Sequence, residues 1–505
     1  MKISERVDLC LPLIEEPISL DPRYASRVYE QTFMKYLFEG LTRETPEGYE
    51  PGLAREINVS NDYKTYTFKL RRTFWSNGDP LTTEDVIQSW QQVLSSLFPK
   101  SMHSHFEVIK NASKVSQGLL TSDRLGLRAP DSETLIVELE YPEPLFAEII
   151  SKPMFLPVHR LTRESYEHSS SPVAIFNGPF FIKEKQTGHK IILVKNNFYW
   201  DTDNVALNKV SFFILNNVYT TNLLFEKNEL DFQGQPLGHP LPRDILLALK
   251  KSRQLQSFDV NGTFWITFNL DKEGPNDPNL RKALAFSIDK QKIIDTILLG
   301  EQKQAHGLFP GYDFSETETK KNPLIYRDKV LENPQTVAAL NKLSLIYPSN
   351  LLICARIAQA LQQQWKEILG WDVPLKGMEY QSFIHKKRKK DFTLSTGGWI
   401  CMNRHLKHYM TTTDGYSILS HWKNAEFLKL SLRLNKETEE REQQLIAKLI
   451  NDILNEELPI YPIYHYKFNY ATKKGLYGIR NLSSGTLDFK YASWGKPSSN
   501  VESKR

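Results

Sequence analysis

Large apolar residues alternate with polar ones over Tyr66–Arg71 (YTFKLR), a period of two that predicts a strand with one buried face. Just after it, Asn77-Gly78 marks a turn. Thr82 with Asp85 then approximates a capping box, so a helix is predicted through Val86 to Trp90. Ile353, Ile357, Leu361, Trp365 and Ile368 recur near helical spacing in Leu351–Leu369, and Gly370 is placed to end that helix. Asp277-Pro278 opens another predicted helix, Asn279–Leu298, with Leu280, Leu284, Ile288 and Ile293 as its apolar stripe. Pro459–Tyr466 (PIYPIYHY) predicts an extended segment with rings on alternate sides, and Pro462 argues against a central strand there. Short strand-like runs alternating with helical ones predict a mixed α/β fold. The Lys496–Arg505 tail is polar and expected to fray.

Composition narrows this picture. The 505 residues suggest about three domains. At 40% hydrophobic and 24% charged, the chain reads as globular. A net charge of +5, with no basic stripe in a recognised module, argues against a nucleic-acid partner. No apolar run reaches the roughly 18 residues of a membrane span. The start, MKISERVDLCLPL, lacks the apolar core of a secretory signal. Cys10, Cys354 and Cys401 are too few and too widely spaced for a disulfide framework, and a single bridge among them stays open.

Motifs for catalysis or cofactors are missing. The chain has no GxSxG, HExxH, GxxxxGK[ST] or GxGxxG after a strand, and no CxxC pair. Asp201–Asn204 starts like a calcium loop, but Ala206 and Phe212 stand where that loop needs Gly and Glu, so a solvated turn is expected. His103 and His105 suit one strand face, yet no further ligand joins them, and a surface pair is expected. No metal or cofactor is predicted.

Four blocks, in order, resemble one family. They are LFEGL (Leu37–Leu41) with the long block Pro51–Trp90, then FNGPFFI (Phe176–Ile182) with LVKNNFYWD (Leu193–Asp201), and finally NDPNLRKALAFSIDK (Asn276–Lys290). The chain is similar to the extracytoplasmic solute-binding proteins of ATP-binding cassette peptide transporters, the oligopeptide-, dipeptide- and murein-peptide-binding group. The resemblance implies a two-lobe periplasmic-binding-protein fold of α/β class, with hinge strands and an additional domain inserted in the first lobe. The expected division is 1–42, 156–255 and 473–505 for the first lobe, 43–155 for the insertion and 256–472 for the second lobe. It also implies an exported, periplasmic or lipid-anchored monomer that works with an ATP-binding cassette permease, the signal having been removed. Cys10, in a strand-like run, is expected to be structural. Trp75 and Trp90 are expected in the core of the inserted domain.

The same resemblance implies the site residues. Gly398, Trp399, Ile400 and Cys401 match the second-lobe strand whose backbone pairs with a peptide ligand. Val28, Tyr29 and Glu30 match the facing first-lobe segment. Trp265 faces either ligand or core, Tyr464 and Tyr466 resemble family tyrosines near the hinge, and Trp399 is expected to stack on the ligand. Met402 stands where the family places the aspartate that holds the ligand's ammonium, a departure that leaves Glu30 as the candidate replacement. Between Ser382 and His408 lie seven Lys or Arg against one acid, Asp391. Lys387, Arg388 and Arg404 are therefore expected to favour acidic or murein-derived peptides, while most of Lys386–Lys390 is expected to be a solvated loop. The leading expectation is a non-enzymatic oligopeptide receptor. The alternatives are a binding protein of the same fold for a metal chelate, haem or another small solute, and an enzyme built on the cleft.

Overall fold

The alternating stretch near residue 66 forms a strand, Thr65–Leu70, that buries Tyr66, Phe68 and Leu70 and turns their polar neighbours outward. The computed structural model describes residues 8–168, 174–299, 302–312, 321–402, 405–406 and 422–495. They group into two compact units, one up to Phe258 together with the stretch from Phe468 onward, the other Asp259–Lys467.

In the first unit, β1 (Asp8–Leu13) and three later strands form a four-stranded sheet in which β1 pairs in parallel with Lys209–Ile214. Cys10 lies in β1, and none of Cys10, Cys354 and Cys401 is joined in a disulfide. A second four-stranded sheet comprises Ala54–Val59, Thr65–Leu70, Leu127–Asp131 and Thr134–Glu138. Helix Thr83–Val93 starts at Thr82, whose backbone N–H donates to the Asp85 carboxylate at 3.0 Å. Trp75 and Trp90 are fully buried, and the Trp90 indole N–H donates to the Phe155 carbonyl at 2.8 Å.

Charge is also buried in this unit. Arg43 donates to both carboxylate oxygens of Asp488, at 2.6 and 2.7 Å, and to Glu39 at 3.2 Å. Burial alone would raise the Asp488 pKa, but Arg43 outweighs it and holds the carboxyl well below the usual range. Asp201 is not in a solvated turn as expected: it is buried and pairs with Lys490 at 2.7 Å. The strand-face expectation for His103 and His105 also fails. Both lie in short helical turns, Lys100–His103 and Ser104–Phe106, and His103 is buried.

The second unit is built on a six-stranded sheet whose order is Phe232–Gly234 (a strand of the first unit, paired with the end of β6), then β6-β2-β5-β3-β4. Here β2 is Leu255–Phe268, β3 Leu345–Pro348, β4 Leu375–Met378, β5 Leu394–Ile400 and β6 Ile460–Thr472. Pro462 thus sits in a strand with neighbours on both sides. It is tolerated near the start of β6, where the outer neighbour is only an isolated bridge from Gln304 to Tyr464. Helix α1 (Leu352–Leu369) follows β3 and ends at Gly370 with φ 75°, a backbone conformation that favours glycine. Helix α2 (Tyr380–Arg388) follows β4 and leads to β5. The predicted single helix over 279–298 is interrupted: it ends at Phe286, and Asp289 caps a new turn by accepting from the Lys292 N–H at 2.8 Å.

The basic run is likewise no loop. His385, Lys386, Lys387 and Arg388 make up the last turn of α2, where cations offset the negative end of the helix dipole. Lys386 pairs with Asp391 at 2.7 Å and Lys390 with Asp271 at 3.2 Å.

Candidate functional site

Strand β5 carries the Gly398–Ile400 segment, and the bonds flanking it fix which way each backbone group points. It runs antiparallel to β2, from Gly262 opposite Ile400 to Phe268 opposite Leu394. Cys401 N–H donates to the Asn261 carbonyl at 2.8 Å, and Asn269 N–H donates to the Thr393 carbonyl at 2.9 Å. Odd-numbered residues of the pair therefore bond to each other, and even-numbered residues of β5 turn their N–H and C=O to the opposite edge.

That opposite edge is covered for only two residues. β3 pairs with β5 in parallel at Leu345–Leu394 and Ile346–Ser395, and no further. Leu394 N–H donates to the Ser344 carbonyl, so Ser344, Ile346 and Pro348 are the β3 residues that face β5. Pro348 has no N–H to give, and β3 ends there. Among the described residues, the outward N–H and C=O groups of Gly398 and Ile400 are left without a strand partner. The chain order β3-α1-β4-α2-β5 against the spatial order β4-β3-β5 places this opening at the carboxyl ends of β3 and β5, where the winding reverses. Open α/β sheets bind ligands at such points.

Alternation along β5 sorts the other expected residues onto two faces. Gly398 and Ile400 share a face with Tyr466. A Cβ on Gly398 would stand 2.1 Å from the Tyr466 hydroxyl oxygen, and one on Gly262 would stand 2.8 Å from its ring. The ring lies over both glycines, and its hydroxyl has no hydrogen-bond partner among the described residues. Burial raises the pKa of this phenol, and Cys354 and Tyr380 beside it add to the effect. Tyr464 is buried and stacks on Phe264 with centroids 5.1 Å apart, a packing role. On the other face, half-buried Trp399 packs against the core that contains Cys401, Phe427 and Ile446. The Trp399 indole N–H is buried and has no partner among the described residues.

Several expected site residues are placed elsewhere. Trp265 is 1% exposed, donates to Thr267 at 3.1 Å and packs over Gly397, so it belongs to the core and not to a ligand surface. Glu30 is 3% exposed, and its carboxylate accepts from the N–H groups of Ser26 and Arg27 at 3.1 and 3.0 Å. It caps the helix Val28–Leu37, a role that occupies the carboxylate proposed to replace the missing aspartate. Val28 is the first residue of that helix; Tyr29 is buried beside Arg27, and its phenol is pushed up to about 12, first by burial and then by Glu30. Met402 follows Cys401 and is half-buried.

Lys387 and Arg388 lie at the other end of β5. Their helix leads into the start of the strand, and the Lys390 carbonyl there accepts from Asn269 at 3.1 Å. From Leu394 to the opening at Ile400 is about 20 Å, at roughly 3.3 Å per residue. Lys387 lies over the Phe383 ring, with its nitrogen 5.6 Å from the centroid, and burial pushes its pKa down to about 8. The charge argument for acidic ligands therefore finds no support in these two residues. Arg404 lies outside the described residues. The partial closure of the β5 edge is what sequence reading missed. Its local signal was Pro348 at the end of an apolar run, but the pairing it interrupts is long-range.

Among the described residues no group of three or more His, Cys, Asp or Glu is arranged to hold a metal, and no helix is long and apolar enough to cross a membrane.

Comparison with known proteins agrees with this architecture. Residues 48–416 match the family model described as bacterial extracellular solute-binding proteins, family 5 Middle. The oligopeptide-binding protein OppA of Bacillus subtilis is 32% identical over 94% of this chain and 91% of its own length. The periplasmic murein peptide-binding protein MppA of Escherichia coli is 27% identical over the same shares. The solved structure of the E. coli murein tripeptide binding protein MppA superposes with a TM-score of 0.83 at 26% identity, covering 97% of this chain and 99% of that one. An oligopeptide-binding protein from Borrelia burgdorferi shares the fold, with a TM-score of 0.85 at 23% identity and coverage of 98% and 100%. With well over half of its length matched in this way, the chain belongs to the bacterial extracellular solute-binding proteins, family 5.

Proposed function

We propose that this chain is a receptor that captures peptides by adding them as a strand along the open edge of β5, and that it delivers them to an ATP-binding cassette permease. The observation that carries this reading is the outward N–H and C=O of Gly398 and Ile400, which have no strand partner among the described residues, at the carboxyl end of β5. Main-chain pairing supplies affinity that tolerates many ligand sequences. The relatives named for oligopeptides and murein peptide support the same reading. In this reading the two units are the lobes that close on ligand, and 43–155 is an addition to the first. The protein acts outside the cytoplasm as a monomer, by binding and not by catalysis.

A second reading has one observation in its favour. A relative 27% identical over 89% of this chain is named a probable deoxycholate-binding periplasmic protein, so a non-peptide solute is the alternative cargo.

Native mass spectrometry of the full chain separates the two. Heterogeneous peptide masses are expected, and one discrete non-peptide mass would favour the alternative. The pairing itself is tested on the unfolded and refolded, ligand-free chain. Penta-alanine should raise the melting temperature, and its backbone N-methylated analogue should not. Equal stabilisation by both would overturn strand addition.

A further inference from the structure

Several turns of the second unit meet where β5 begins, and they carry most of the chain's excess charge. Asn269, just past the end of β2, donates to the carbonyls of Lys390 and Phe392 at 3.1 and 2.8 Å, and its own carbonyl accepts from the Lys272 N–H at 3.1 Å. The Ser344 backbone, at the start of β3, exchanges two hydrogen bonds with the Thr393 hydroxyl at 2.8 and 2.9 Å, which brings Lys342 to the same end. Lys376 stands opposite Ile346 at the start of β4, and Ile346 packs with Phe383 of α2 and with Phe392.

The five consecutive cations of 386–390, with Lys272, Lys342 and Lys376, face only three acids on these turns, Asp271, Glu273 and Asp391. That surplus of five, or four when Lys366, Glu367 and Asp372 at the end of α1 are counted, accounts for nearly all of the chain's net charge of +5. Each acid is already used: Asp271 by Lys390 at 3.2 Å, Asp391 by Lys386 at 2.7 Å, and Glu273 by Lys342. Lys272, Lys376, Lys387, Arg388 and Lys389 are left with no ion-pair partner among the described residues. No large apolar side chain is exposed on these turns, because Phe383 and Phe392 are buried beneath them.

We infer that this end of the second unit docks on the anionic lipid headgroups of the membrane that holds the permease, by electrostatic attraction and without insertion. Protein interfaces favour aromatic residues, methionine and arginine and are poor in lysine. A surface rich in lysine and free of exposed rings suits a diffuse field of negative charge, where each cation adds to the attraction. The open edge at Gly398 and Ile400 lies about 20 Å away, at the other end of β5, so docking leaves it clear. The inference goes beyond the peptide reading and takes from it only the nearness of a membrane, not the cargo.

The test is flotation of the full chain with vesicles of phosphatidylcholine, alone or with one-third phosphatidylglycerol. Binding should require phosphatidylglycerol and should be lost when salt rises from about 0.05 to about 0.5 M, which shortens the screening length roughly threefold. The variant Lys272→Glu/Lys376→Glu/Lys389→Glu should bind those vesicles at least roughly tenfold more weakly. A second variant, Lys227→Glu/Lys251→Glu/Lys448→Glu, carries the same net charge with its reversals at exposed positions elsewhere, and should lose less than about threefold. Both should keep the rise in melting temperature given by penta-alanine. Equal losses in the two variants would reduce the effect to net charge and overturn the inference, as would equal binding to phosphatidylcholine alone or no binding at all. Binding to poly-glutamate with none to the vesicles would overturn it in favour of an acidic protein partner. If penta-alanine fails to stabilise the unaltered chain, peptide capture falls and the vesicle result stands by itself.

Discussion

Gly398→Ala places a methyl 2.1 Å from the Tyr466 hydroxyl oxygen, well inside contact distance, whereas the next nearest ring atom, Cζ, is 3.2 Å away. The ring cannot simply settle aside, because Gly262 lies beneath it and Tyr464 meets its edge with centroids 5.5 Å apart. Overpacking of this kind costs about 1–3 kcal/mol. Tyr466→Phe removes the clashing oxygen, and that oxygen has no hydrogen bond to lose among the described residues, so this change alone should cost under about 1 kcal/mol. The double variant should then recover most of the loss, a coupling of roughly 1–2 kcal/mol. Urea unfolding at constant slope measures stability, and calorimetry with penta-alanine follows the site. The Cβ points at Tyr466 and not along the strand edge, so affinity should fall in Gly398→Ala only as far as the ring is displaced and should return with Tyr466→Phe. A double variant as unstable as the sum of the two single ones would refute the placement of this ring over Gly398.

Other expectations follow from the buried charges. Burial first, and then His306, Lys290 and Lys303, push the His465 pKa down to about 4, so the folded chain holds it neutral while the unfolded chain protonates near 6.5. Stability is therefore fully present above pH 6.5 and is lost as pH falls towards 4; His465→Gln should flatten that slope in urea midpoints taken at pH 7.5 and 4.5. Asp488→Asn leaves Arg43 buried without its bidentate partner and should cost about 3–5 kcal/mol; a loss below about 1 kcal/mol would contradict the pairing. Because the folded Lys387 pKa lies below that of a free lysine, its charged form is penalised below pH 8, and the penalty is relieved as pH rises towards 10.5. Lys387→Met should accordingly raise stability at pH 7 and change the affinity for an acidic pentapeptide by less than about twofold, since the residue lies at the far end of β5.

Local rules made much of this chain legible. The period-two burial of Tyr66, Phe68 and Leu70, the Thr82–Asp85 cap and the Gly370 stop depend on neighbours a few residues away, so the sequence by itself determined them. The ordered blocks carried the family for the same reason: short strings preserve local structure and core positions. What the sequence could not show was which groups those elements leave unsatisfied. Glu30 looked free and was taken by the backbone N–H groups of Ile18, Ser26 and Arg27, and Asp201 looked solvated and was paired with Lys490, nearly three hundred positions away. The basic run stood a few residues from the Gly398 strand in the text and at the other end of it in space, because a helix and a strand joined head to tail carry their far ends apart. The open edge itself exists because β3, a different strand, ends at Pro348 level with Gly397, where the chain turns and the Pro348 carbonyl accepts from Leu351 N–H instead of from β5. Short-range bonding is written along the chain, but hydrogen-bond capacity left over after long-range pairing is a property of the assembled sheet, and the tertiary structure alone decided it.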